Sequence, residues 1–188
     1  MSTNNTRDKI LDLGKNYMQT IGYHSFNYKM IANQLNIKNA SIHHYFPSKE
    51  DLALAIIEKA TQDFNTWANN AESISPTERT EVILNRYVQT FNDGEKLCLM
   101  STFESTFNDV SENIRKATSA YVNSVFKWLI AVFKEGLQSK EFLFKESAEE
   151  IAVMWLAGLP GSLLVGRAKG AEYFHQIINR LRKSLQGK

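Results

Sequence analysis

The chain has 188 residues and 43% hydrophobic content, enough to bury a core as one large domain or a small plus a medium one without disulfide or metal staples. Its lone cysteine, Cys98, excludes an internal disulfide and fits a reducing compartment. Met1-Ser2-Thr3-Asn4-Asn5 is polar with no apolar stretch behind it, and the longest strongly apolar run, Ile151 to Val165, is short for a span and broken by Gly158, Pro160 and Gly161, so the expectation is a soluble, cytoplasmic protein with no membrane association.

The net charge of +2 conceals an uneven distribution. Residues 1–50 hold six Lys/Arg against three Asp/Glu, a net +3, and three of the four histidines. Residues 51–166 hold ten against sixteen, a net −6, and residues 167–188 hold six against one, a net +5. A basic N-terminal segment ahead of an acidic body points that segment toward a polyanion. The basic C-terminal tail reads as a solvated helix face.

No stretch alternates with period two for long, whereas apolar spacings of three and four recur, so the fold class is all-α with about nine helices. Ile10, Leu13, Gly14, Tyr17, Met18 and Ile21 form a first stripe that stops at Gly22, a helix terminator. Asn27 is a candidate N-cap for a short helix through Met30, Ile31 and Leu35. Asn36 falls where a turn needs a left-handed residue, which Asn tolerates. A second short helix follows from Asn39 to Phe46, and Pro47-Ser48-Lys49-Glu50-Asp51 opens a long one toward Asn70, with Ser48 as N-cap and acids in its first turn. Beyond Pro76, helices are expected near 77–92, 95–108, 111–138, 146–168 and 170–186. The fourth of these is apolar nearly all round, and the fifth carries Phe174, Ile177, Ile178, Leu181 and Leu185 on one face.

Residues 27–46 have helix-turn-helix dimensions: two short helices, a tight turn, and a second helix that presents polar side chains. Ile31, Ala32, Leu35, Ile37, Ile42 and Phe46 supply the inner face. Lys38, Asn39, Ala40, Ser41, His43, His44 and Tyr45 remain as the outer set. A major groove admits such a helix, whose short polar groups reach base edges and longer ones phosphates. By period alone the same pattern also fits an ordinary αα-hairpin.

The segment Ile31-Ala32-Asn33-Gln34-Leu35-Asn36-Ile37-Lys38-Asn39-Ala40-Ser41-Ile42-His43-His44-Tyr45-Phe46-Pro47-Ser48-Lys49-Glu50-Asp51-Leu52 resembles the TetR family of transcriptional regulators. The family reads roughly Ile-Ala, a Gly-Val-Ser turn, a Gly-Thr-Leu-Tyr helix, Tyr-His-Phe, then Ser-Lys-Glu-x-Leu. Ile10, Gly14, Gly22 and Tyr23 fall where the family has its first helix and its end, so the close match covers about residues 7–57. Asn36 replaces the turn glycine, Lys38 the serine cap, Ala40 a glycine, His43 a tyrosine and Tyr45 a histidine. These departures bear on which operator is read.

The resemblance implies an N-terminal three-helix helix-turn-helix DNA-binding domain, residues 1–50, and a C-terminal helical ligand-binding and dimerisation domain, residues 51–188. It implies that Asn27, Lys38, Asn39, Ala40, Ser41, His43, His44 and Lys49 lie near double-stranded DNA. It further implies a homodimer through residues 146–186 and a ligand-responsive repressor on a palindromic operator. Met100, Phe103, Glu104, Phe107, Tyr121, Trp128 and Trp155 are candidate lining for a small, largely apolar effector, although aromatic residues at helical spacing also form plain core. Cys98 lies in Leu97-Cys98-Leu99-Met100, a setting for either packing or sensing.

His43 and His44 point about 100° apart on a helix, so no metal site is expected there. No Gly-rich phosphate loop, His-Glu-x-x-His or nucleophile elbow occurs, so neither cofactor nor enzyme activity is expected. A helical enzyme, or an adaptor without DNA binding, stands as the alternative.

Overall fold

The computed structural model describes residues 3–187. Its helices are α1 (Thr3–Ile21), α2 (Tyr28–Leu35), α3 (Asn39–Tyr45), α4 (Lys49–Asn70), α5 (Pro76–Asn92), α6 (Leu99–Glu104), α7 (Glu112–Gln138), α8 (Ala148–Lys169) and α9 (Ala171–Ser184), with one 3-10 turn (Ala71–Ser73) before α5. No strand occurs among the described residues, as the apolar periods predict.

One compact unit comprises residues 3–64 with 99–121, the other residues 65–98 with 122–187. This grouping cuts across the linear division at residue 50, for a physical reason. Helices α1 to α3 alone leave an apolar face that Leu52, Ala53, Ile56 and Ile57 of α4 close, all buried. A Cβ on Gly14 would stand 3.0 Å from Ile56 and 3.1 Å from Leu52, so the bare glycine sets how closely α1 meets α4. Helix α6 also packs on α1, and the Phe103 ring lies 5.5 Å from that of Tyr23.

In the second unit, α5 and α8 both begin with capping boxes, Ser75 with Glu78 and Ser147 with Glu150. Phe133 is the hub of an aromatic core, with edge-on contacts to Trp155 at 5.3 Å, Phe142 at 6.1 Å and Phe144 at 6.2 Å. The buried Arg79 spends its donors on Glu135, at 2.7 and 2.9 Å, and on the carbonyls of Ile74 and Glu72. All three nitrogens are thus engaged, the condition under which a buried guanidinium is tolerated.

Helix α8 continues through Pro160. Gly158 marks a close crossing with α9: a Cβ there would lie 2.9 Å from Leu181. The apolar face of α9 therefore points inward, with Phe174, Ile178, Leu181 and Leu185 all buried. What remains outside is a stripe on α8, where Val153 is 57%, Met154 40% and Leu164 51% exposed.

The helix expected over 95–108 is much shorter, Leu99–Glu104. Residues 105–109 are turn, and here the hydroxyls of Ser105 and Thr106 donate to the carbonyls of Thr102 and Phe103. Such local side-chain bonds compete with helix propagation. Upstream, Gly94 and Glu95 take positive φ values of 74° and 53°, which ends any helix there.

Candidate nucleic-acid interface

Three caps bound α2 and open α4, with α3 between them. The Asn27 side-chain oxygen Oδ1 accepts from the Met30 amide at 3.3 Å and starts α2. Asn36 ends it with φ 52° and ψ 47°, and the Ile37 amide closes back onto the Ala32 carbonyl at 3.0 Å, a Schellman-type termination. Ser48 and Asp51 cap α4 reciprocally: the Ser48 amide donates to the Asp51 carboxylate at 2.8 Å and the Asp51 amide to the Ser48 hydroxyl at 3.1 Å. Because Asn36 is left-handed, Asn36→Gly should leave stability unchanged or raise it by about 0.5 kcal/mol, and Asn36→Val should lower it by about 1–2 kcal/mol. Urea unfolding of both variants checks the sign.

Helix α3 turns Ile42 fully inward. Of the outer set expected from the sequence, Lys38, Asn39, Ala40, His43 and His44 are exposed, and Ser41 and Tyr45 are half-buried. The segment after it is held by Tyr28, which is buried and whose hydroxyl lies 3.1 Å from the Phe46 carbonyl and also meets that of Ser48. Burial, helped by Asp51 and then Tyr23, pushes that phenol well above its ordinary pKa, so it stays a donor. The Arg7 guanidinium covers the Phe46 ring at 5.3 Å, and the Tyr17 hydroxyl donates to the Gln34 side chain at 2.7 Å, tying α1 to α2.

Two of the candidate residues also make polar contacts within the chain. The ammonium of Lys49, a residue expected near DNA, donates to the carbonyls of Phe26 at 2.7 Å and His24 at 3.1 Å. It sits over the rings of Phe26 and Tyr23 at 4.5 and 4.9 Å, and burial lowers its pKa. His43 is exposed, yet its Nδ1 is 3.1 Å from the Pro47 carbonyl and its ring meets Tyr28 edge-on at 4.9 Å.

Sequence reasoning missed the neighbour of Lys49. The Glu50 carboxylate accepts from the Ser111 hydroxyl at 2.7 Å and the Asn113 amide at 3.2 Å. These partners lie 61 and 63 residues away, and no local pattern announces them. Arg115, just beyond, donates to the carbonyls of Val110 at 2.6 Å and Phe107 at 3.3 Å, which fixes the turn that presents Ser111.

The seven candidate effector-lining residues have different surroundings. Met100 and Phe103 are buried in the first unit, Phe103 against Tyr23. Glu104 is exposed, and Phe107 is 49% exposed beneath Arg115. Tyr121 meets Phe64 edge-on at 5.8 Å. In the second unit Trp155 is wholly buried and donates to the Ser184 hydroxyl at 3.2 Å, whereas Trp128 is half-buried, 5.0 Å from Trp67. Cys98 is half-buried with its sulfur 3.7 Å from the Tyr87 hydroxyl. No group of three or more metal-ligating side chains occurs among the described residues.

Two short helices locked at a tight left-handed turn, the second with a polar outer face, define a helix-turn-helix DNA-binding protein. Residues 10–56 match the family described as bacterial regulatory proteins, tetR family. The whole fold is similar to a TetR-family transcriptional regulator from Agrobacterium tumefaciens, at 24% identity and a TM-score of 0.90, covering 99% of this chain and 100% of that one. A TetR transcriptional regulator from Legionella pneumophila is 29% identical with a TM-score of 0.84, again over 99% and 100% of the two chains. The HTH-type transcriptional repressor KstR of Rhodococcus jostii is 23% identical over 81% of this chain and 70% of its own. The chain is a DNA-binding transcriptional regulator similar to those of the TetR family.

Proposed function

We propose that the chain is a ligand-responsive repressor that binds a palindromic operator as a homodimer. The observation that carries this reading is the stripe on α8. Val153, Ala157, Gly161 and Leu164 recur at spacings of four, four and three on one helix face, and all but the half-buried glycine are exposed. A Cβ on Gly161 would meet nothing within 4 Å. An 18-residue window of α8 has a mean hydropathy of 1.5 with only 39% of it buried within the chain. By length and composition alone α8 could cross a membrane, but both its ends carry charges, Glu149 and Glu150 at the start and Arg167 and Lys169 at the close. A second copy of α8 and α9 is the natural cover for such a stripe, through an isologous contact of residues 146–186.

A two-fold axis would present two copies of α3 to successive major grooves, about 34 Å apart. Lys38, Asn39, Ala40, Ser41, His43 and His44 then face DNA, with Asn27 flanking. Lys49 supports them from behind. A small, largely apolar effector in the second segment would favour a dimer geometry in which the spacing of the α3 helices no longer fits, a population shift between two states. Trp128, half-buried beside Trp67, is the fluorophore best placed to report it. The activity is regulation in the cytoplasm rather than catalysis.

Selection of genomic fragments by the purified protein tests the reading. The expected result is enrichment of an inverted repeat whose half-site centres lie about one helical turn, or a multiple, apart, together with a salt-dependent affinity. Equal, weak binding to all fragments would favour the adaptor alternative.

A further inference from the structure

On the outer face of α3, the imidazole of His43 has a partner that sets its hydrogen-bonding polarity. Its Nδ1 lies 3.1 Å from the Pro47 carbonyl oxygen. A carbonyl oxygen only accepts, so the proton of the neutral ring sits on Nδ1, and Nε2 is left with a lone pair. The ring is held in that attitude by its edge-on contact with Tyr28, 4.9 Å between centroids. Tyr28 is itself buried and pinned by the Phe46 and Ser48 carbonyls. No second bond to the ring occurs among the described residues, and His43 is exposed. It stands four residues after Asn39 and three after Ala40, on the same helix face.

A fixed acceptor in this position selects its partner by chemistry. Phosphate oxygens only accept, so a neutral His43 makes no hydrogen bond to the backbone of DNA. In the major groove guanine offers N7 and O6 and thymine offers O4, all acceptors. Donors are offered only by the exocyclic amines, N4 of cytosine and N6 of adenine. We propose that His43 is a specificity-determining residue that reads the exocyclic amine of a cytosine or adenine in each half-site through Nε2. This rests on the operator-binding reading above and assigns a base chemistry to one position of it.

The test is a double-substitution cycle across the interface. Wild-type protein and His43→Ala each select sites from a random duplex pool. Affinities are then measured for the wild-type site and for a site in which the preferred cytosine or adenine is replaced by pyrimidin-2-one or purine, which lack the amine. The expected result is a wild-type preference for cytosine or adenine at one symmetric position that disappears in His43→Ala. Deleting the amine should weaken wild type about fivefold per half-site and leave His43→Ala unaffected, so the two changes are not additive. Because His43 is exposed the variant should fold, which circular dichroism verifies; the amine deletion measured on wild type alone already gives the first half of the answer. Three outcomes overturn the inference. One is an additive cycle. Another is an unchanged preference in His43→Ala. The third is a loss equal on operator and scrambled DNA with a shallower salt dependence, which marks a phosphate contact by the protonated ring. If wild type selects no site at all, the operator-binding reading falls with it, whereas a selected site with an additive cycle overturns the His43 assignment alone.

Discussion

Leu164→Glu is expected to turn the proposed dimer into a 21.5 kDa monomer at micromolar concentration, read by sedimentation. Leu164 is 51% exposed on α8, so within one chain the substitution disturbs little packing and the monomer should keep its helical circular dichroism. Across a two-fold axis the same change acts twice, and each buried carboxylate without a partner costs about 3–5 kcal/mol. Operator affinity should fall with it, by about 100-fold or more, since binding of two linked half-sites exceeds that of one by this order. Leu181→Glu is the informative contrast. Leu181 is buried against Gly158 of the same chain, so a charge there should unfold the second unit rather than split an intact dimer. A Leu164→Glu protein that remains a dimer would place the subunit contact elsewhere.

Lys49→Met is expected to weaken operator binding through the shape of the first unit, with the salt dependence preserved. The ammonium joins the start of α4 to the loop between α1 and α2, where it holds the Phe26 and His24 carbonyls beside the Asn27 cap. Methionine keeps the stem packed on Tyr23 and Phe26 and leaves both carbonyls unpaired. A hydrogen bond to a charged group is worth about 1.5–3 kcal/mol, and half-exposure discounts that, so a loss of about 1–2 kcal/mol in stability is expected. Had Lys49 neutralised a phosphate, the slope of log affinity against log salt would fall by about one unit per subunit. An unchanged slope with a lowered thermal midpoint supports the inward placement; a shallower slope with an unchanged midpoint overturns it.

The first third of the chain was largely legible in the sequence because its boundaries are written locally. Asn27, Asn36 and Ser48 act at a distance of three to five residues, through caps and a left-handed turn that depend on their own side chains, and each falls where the sequence places it. The long helix from Pro47-Ser48 to Asn70 was visible for the same reason. What escaped depends on chain segments far apart. Lys49 reads as a solvent-facing cation until the carbonyls 23 and 25 residues upstream are brought to it. Glu50 reads as a first-turn acid favouring the helix dipole until Ser111 arrives. The shortening of α6 depends on hydroxyls that compete with the backbone, a balance that apolar spacing does not register. Among the aromatic candidates for the effector site, the partners of Phe103 and Trp155 likewise come from other segments of the chain, Tyr23 for the first and Phe133 for the second.

The bonds from Glu50 to Ser111 and Asn113, and the rest of Phe103 on Tyr23, bear on modularity. Here a graft of residues 1–64 onto a foreign body would strip away the hydroxyl and amide that engage the Glu50 carboxylate and the ring that covers Tyr23. The transplant would expose apolar surface and leave Glu50 without its two donors. The compact unit is a discontinuous piece, residues 3–64 together with 99–121, and a chimera expected to keep its fold has to inherit both.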